Sequence, residues 1–219
     1  MRTAFQEELE SIHKTLVEMG KLVENSMSEA TKALLSSDLD AAERIIKDDD
    51  TIDDMQHELD ARTMLIIARQ SPVASDLRSL VTSLRMSADL ERMGDMAHHI
   101  AKLTRMRYPN CAVPSELKET ITDMGKVAVN IIRKTTAAID DHDTTLALQL
   151  ESDDDDMDRL HRQLFQKLVD PSWEHGTEVA IDMTLLGRYY ERCADHAVSV
   201  GRRVYYIVNG IYNSDEVKK

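Results

Sequence analysis

The chain has 219 residues, enough to bury a sizeable core, and its 42% hydrophobic but only 4% aromatic composition, with 7 glycines and 4 prolines, favours long helices over sheets. The formal net charge of −13 argues against roles that depend on attraction to nucleic-acid phosphates or anionic lipid, and makes cations and basic protein surfaces the better partners. Two cysteines, Cys111 and Cys193, are too few for a disulfide framework and suit a reducing compartment. The opening "MRTAFQEELE" has no apolar stretch after Arg2, and no run approaches the roughly 18 apolar residues of a spanning helix, so a cytoplasmic protein is expected.

In chain order, the first helix carries Leu9, Ile12, Leu16, Met19, Val23, Met27, Ala30 and Leu34 at helical spacing and breaks at Ser37-Asp38. A second, containing "KDDDTIDDM", runs to Ser71-Pro72. A third contains "LERMGDMA" from Leu90 and ends at the connector from Tyr108-Pro109 to Pro114-Ser115. The fourth holds "MGKVAVNII" from Met124 and stops at His142-Asp143. The fifth holds "ESDDDDMDR" and stops at Asp170-Pro171-Ser172. The sixth holds "YERCADHA" from Tyr190 and stops at Asn209-Gly210. Asp38, Ser71, Ser115 and Asp143 are placed to cap the helices that follow them.

The chain repeats itself. "MGKLVENSM" from Met19 is echoed by "MGKVAVNII" after a shift of 105, which also carries Asp38, Asp49 and Asp53 onto Asp143, Asp154 and Asp158. On the last helix of each half the shift is 100, so five residues are lost between the second and third helices of the second copy. The expected fold is all-α: two tandem three-helix bundles related by internal duplication, over 1–108 and 113–212, with a tail at 213–219. Helices of 25 to 35 residues would make it elongated, roughly 40 to 50 Å. A fused rod without a clear boundary is the competing layout.

On the third helix Met86, Leu90, Met93, Ala97 and Ile100 form one stripe, matched on the sixth by Leu186, Tyr190, Cys193, Ala197 and Val200. Both read as core, with Cys193 an inert buried thiol. Another face of each helix carries a carboxylate pair four residues apart, Glu91 with Asp95 and Glu191 with Asp195. The first continues a track through Leu77, Leu84 and Ala88. The second shares its track with Thr177, Thr184 and Arg188, which suits open solvent.

The second and fifth helices add the pairs Asp49 with Asp53 and Asp154 with Asp158. If the helices lie side by side, four carboxylates per half converge on one cation site, and hard oxygen ligands suit Mg²⁺, Mn²⁺, Ca²⁺ or iron. The competing reading takes acidic runs such as Asp153 to Asp156 as solvated helix starts. His98 and His99 follow Glu91 by seven and eight positions, but Val198 and Ser199 stand there in the second half, so a histidine ligand is open to the first half alone. A di-iron carboxylate bundle needs two Glu-x-x-His motifs, and only Glu10 to His13 is present. No glycine-rich phosphate loop, nucleophile elbow or zinc-type Cys/His cluster occurs, so no catalytic residue is named and the chain is not expected to be an enzyme.

"ELESI", "MGKLVE", "ASDLR" from Ala74, "LERMGD" and "ERCADHA", arranged as two three-helix repeats, resemble the PhoU family of phosphate-uptake regulators from about residue 4 to 212. The resemblance implies a cytoplasmic, often dimeric negative regulator of the phosphate-starvation response. It would be an adaptor linking the ATPase subunit of the phosphate ABC transporter to a membrane sensor histidine kinase, reaching the membrane only through those partners. It also implies multinuclear iron, zinc, Mn or Mg held by paired acidic motifs, which match Asp49 with Asp53, Glu91 with Asp95, Asp154 with Asp158, and Glu191 with Asp195. The usual Glu-Arg-Ile-Gly-Asp reads Met93 in the first copy and Cys193-Ala194 in the second, and the further polar position is His98 or His99 against Ser199. A metal-binding bundle without a signalling partner, and a structural helical scaffold, are the alternatives.

Overall fold

The structure, a computed structural model, describes residues 2–211, with side chains from Phe5 onward; the end of the second repeat at residue 212 and the expected tail at 213–219 lie outside the described residues. Six α-helices follow one another: α1 (Arg2–Ser36), α2 (Leu39–Gln70), α3 (Ala74–Arg107), α4 (Lys118–Asp141), α5 (Thr144–Leu168) and α6 (Gly176–Asn209). A short 3₁₀ turn, Ser115–Leu117, precedes α4, and no strand occurs among the described residues.

Two of the four expected caps form. The Asp38 carboxylate accepts the Ala41 N–H at 2.9 Å, and the Asp143 carboxylate accepts those of Thr145 and Leu146 at 2.8 and 3.0 Å. The other two are corrected. Ser71 terminates α2 in the left-handed region at φ 45°, and α3 starts after Val73 with no side-chain cap. Ser115 opens the 3₁₀ turn, whose last residue, Leu117, leads straight into α4, and its hydroxyl donates to the Glu116 carboxylate at 3.3 Å instead of capping either start. Gly210 ends α6 at φ 76°, as Asn209-Gly210 implies.

Within each half the three helices pack on one another, and the halves join through α1 against α4 and α3 against α6. The inner layer is therefore α1, α3, α4 and α6, with α2 and α5 on its flanks, and one continuous core runs through both halves. The stripes read from the sequence are buried: Met86, Leu90, Met93, Ala97 and Ile100 on α3, and Leu186, Tyr190, Cys193, Ala197 and Val200 on α6. Burial pushes the Cys193 thiol up to about 12, so it is an un-ionised core side chain.

The α1–α4 seam is antiparallel and closes at its glycines. A Cβ on Gly20 would lie 2.4 Å from Thr136 Oγ1, and a Cβ on Gly125 would lie 2.5 Å from the Thr31 methyl. These are the same contact made twice, since Gly20 and Thr31 map onto Gly125 and Thr136 by the shift of 105. The α3–α6 seam is held by ion pairs with no such copy. Arg107 Nε donates to Asp182 at 2.6 Å, and Asp89 takes His196 Nδ1 at 3.0 Å together with Arg203.

Candidate metal centres

The repeated carboxylates occupy the outer grooves, between α2 and α3 in the first half and between α5 and α6 in the second. In the first groove Gly94 lets α2 approach α3: a Cβ there would lie 3.0 Å from Ile52 Cδ1 and 3.7 Å from Asp49 Oδ1. The approach brings the carboxylates of both helices into one field. Burial, Asp49 and then Asp95 raise the Asp53 pKa above its ordinary value. Burial and Asp95 do the same to Glu91, with smaller contributions from Asp53 and Asp49, against the lowering effect of Arg92. Asp49, Asp53, Glu91 and Asp95 therefore lie within electrostatic reach of one another.

His98 and His99 part company. His98 turns its Nδ1 onto Asp49 Oδ2, while its Nε2 is buried without a hydrogen-bond partner. A proton on Nδ1 leaves the Nε2 lone pair available to a cation, and the carboxylate behind the ring is the arrangement that supports a metal-ligating histidine. His99 instead stacks on Tyr189 of α6, ring centroids 5.1 Å apart, and burial lowers its pKa. It is occupied at the seam between the halves.

In the second groove burial, followed by Asp195, Asp158 and Glu191, pushes Asp154 up to about 6. Asp154 Oδ1 is buried with no hydrogen-bond partner. Glu191 is also raised, by burial and then Asp195. Its side chain is only 15% exposed, so the open solvent expected for the second pair holds for Asp195 but not for Glu191, which lies against α5.

Exposed arginines pair with several of these carboxylates. Arg92 contacts Glu91 at 3.3 Å and Asp95 at 2.7 Å, Arg188 pairs with Glu191, and Arg162 reaches Asp158 at 3.3 Å. Among the described residues no three His, Cys, Asp or Glu side chains form a closed coordination set. The chemistry of the groups still fits a hard cation: each groove gathers four carboxylates, keeps a buried polar atom unpartnered, and raises carboxyl pKa values first by burial and then by mutual repulsion, which a divalent ion would relieve.

Several polar contacts were not anticipated from the sequence. Tyr190 sits fully buried in the apolar stripe of α6 with its hydroxyl 2.8 Å from Thr31 Oγ1, while Asp89 and Asp182 are buried carboxylates whose partners lie on the other inner helix. Their one sequence signal is an acidic residue beside a core position, as Asp89 stands beside Leu90.

The model of a protein family described as "PhoU domain" matches this chain twice, over residues 16–104 and 121–204, spanning all four acidic pairs. The chain is 42% identical over 212 residues to the phosphate-specific transport system accessory protein PhoU homolog 2 of Mycobacterium tuberculosis, covering 97% of this chain and 100% of that protein. It is 41% identical over 216 residues to homolog 1 of the same species, covering 99% and 98%. Among solved structures, the regulatory protein PhoU of Streptococcus pneumoniae superposes with a TM-score of 0.86 at 25% identity, over 96% of this chain and 99% of that one. PhoU of Pseudomonas aeruginosa superposes with a TM-score of 0.84 at 28% identity, over 94% and 100%.

Proposed function

Because this chain belongs to the PhoU family, we propose that it is an accessory protein of a phosphate-specific transport system and a negative regulator of the phosphate-starvation response. It would act by binding and not by catalysis. The observation that supports this reading most is the similarity, along 97% of the chain, to proteins named for that transport system. No helix among the described residues is long and apolar enough to cross a membrane, so contact with a membrane transporter would be made through protein surfaces.

The finer reading is an adaptor between the transporter ATPase subunit and a sensor kinase. The transporter's conformation reports flux, this protein binds it in one state, and the docked pair holds the kinase inactive; only a difference in affinity between states transmits such a signal. The acidic surface, at −13 overall, suits basic patches on those partners, with salt-sensitive association. A homodimer is part of the same proposal.

Metal is proposed at the two grooves. Asp49, Asp53, Glu91, Asp95 and His98 would hold it in the first, and Asp154, Asp158, Glu191 and Asp195 in the second, with Fe, Zn, Mn or Mg as candidates. A bound ion would supply fixed positive charge that locks α2 to α3 and α5 to α6. His99 is not included, because its ring is stacked on Tyr189.

The deciding experiment is a phosphate-starvation reporter in cells lacking this protein, grown with abundant phosphate. The reading requires the reporter to switch on and the intact gene to silence it again. A reporter that stays silent after any paralogue is also removed would reject the regulatory role.

A further inference from the structure

The two copies of the repeat differ where the second helix of each ends. The shift of 105 maps residues 64–70, the last two turns of α2, onto 169–175, yet α5 stops at Leu168. Residues 169–175 instead fold as a strap. The Trp173 N–H donates to Asp170 O at 2.9 Å, the indole Nε1 donates to Gly176 O at 2.9 Å, and His175 reaches across to pair with Glu116 ahead of α4. Lys167 braces the same corner by donating to Thr120 Oγ1 at 3.1 Å.

Beside the strap lies a cleft of about 960 Å³ between α4 and α5, with Ser172 to His175 of the strap in its lining. Its floor includes Leu117 and Leu160, both buried, and half-buried Val127. Trp173, the only tryptophan of the chain, stands in the strap with its ring edge-on to His175 at 4.8 Å. Six carboxylates and three Lys or Arg side chains line the walls. Lys126 is paired with Asp123 at 2.9 Å, Arg159 with Asp156 at 3.2 Å, and His175 with Glu116. Exposed Glu119 and Glu174 add carboxylates that none of these pairs neutralises.

We propose that this cleft is a docking site for a basic amphipathic segment of a partner protein. Cations of the segment would meet Glu119 and Glu174, its apolar side chains would cover Leu117, Val127 and Leu160, and a Lys or Arg beside Trp173 would gain cation–π contact. The charge balance excludes an anionic ligand, because carboxylates outnumber cations and the nearest cations are already engaged. The apolar floor and the engaged carboxylates suit a peptide better than a bare metal ion. The proposal deepens the adaptor reading by naming where a partner docks, and rests on that reading for its biological role.

The test is a titration of the purified full chain followed by Trp173 fluorescence. The probe is a peptide of about twelve alternating lysines and leucines, with the same peptide carrying Glu for Lys as control. The basic peptide should produce a saturable emission change and the acidic one none, and binding should weaken as salt rises. Glu119→Lys with Glu174→Lys should weaken binding at least tenfold. Glu7→Lys with Glu43→Lys, an equal charge change at exposed positions outside the cleft, should change it less than threefold. No saturable change with the parent, or equal weakening by both double variants, overturns the proposal, the latter by showing attraction to net charge alone. The reporter strain separates the two levels. A parent chain that binds the peptide but cannot silence the reporter rejects the regulatory reading and leaves the cleft standing, whereas a silencing parent that binds nothing rejects the cleft.

Discussion

Gly20 of α1 lies directly beneath Thr136 of α4, so close that a single added carbon would meet the threonine oxygen at 2.4 Å. Thr136 cannot turn away freely, because its hydroxyl donates to the Ile132 carbonyl at 2.9 Å. Gly20→Ala should therefore destabilise the protein by a net of about 1–2 kcal/mol, the strain of overpacking exceeding the gain in helix propensity. Thr136→Ala in the same chain should recover most of that loss, and the urea midpoints of the four variants in the cycle measure both effects.

Tyr190 tests the pseudo-symmetry from the other side. The Thr31 hydroxyl donates to Met27 O at 2.9 Å, so the Tyr190 hydroxyl is the donor in the 2.8 Å bond between them. Tyr190→Phe keeps the ring and leaves Thr31 its own donor bond, and should cost about 1 kcal/mol in chemical denaturation. A loss above about 3 kcal/mol would mean that the hydroxyl orders more of the α1–α6 contact than this single bond.

Asp154 gives the metal-free protein a pH signature. Its folded pKa, about 6, stands above the ordinary 3.8, so the folded state binds this proton more tightly than the unfolded one. The resulting penalty is absent below about pH 4, grows between pH 4 and 6, and is complete above pH 6. Asp154→Asn should therefore stabilise chelator-treated protein at pH 7.5 by on the order of 1–2 kcal/mol after allowance for solvent screening, and the gain should vanish at pH 4. Thermal unfolding of both chains across that range reads the difference.

Added metal should reverse the sign. With a divalent ion at about a hundred times its Kd, stability should rise by about 2.7 kcal/mol per site, or roughly 5–10 °C in Tm. Glu91→Ala with Asp95→Ala should remove the first groove's share. His98→Ala should weaken the first site and leave the second untouched, a split visible in a calorimetric titration. Equal behaviour of His98→Ala and the parent would take the histidine out of the ligand set.

Helical spacing was enough to place the six helices, because the apolar stripes of α3 and α6 are unbroken and each is buried as a unit. The repeat was legible for the same reason that it persists: Asp38 and Asp143 perform the same capping, and Gly20 and Gly125 the same close approach. The caps at Ser71 and Ser115 misled because a serine beside proline serves equally well as the end of one helix or the opening of a turn. Pairing across the seams was out of reach. Asp89 finds His196 and Arg203, and His99 finds Tyr189, through an antiparallel crossing whose register no local pattern encodes. The end of α5 was legible in Asp170-Pro171-Ser172, but the path of the strap was not, because the pairing of His175 with Glu116 spans 59 residues.

The seam between α1 and α4 joins segments that the ribosome makes about a hundred residues apart. At roughly 5–20 residues per second, α1 to α3 emerge some 5 to 20 seconds before the helices that cover them. During that interval the side chains of α1 and α3 that meet the second half, Thr31 against Gly125 and Tyr190, and His99 against Tyr189, lack part of their final surroundings. A nascent first half therefore offers apolar surface to chaperones or to another copy of itself, and the finished chain reaches its stable form only when α6 has left the exit tunnel.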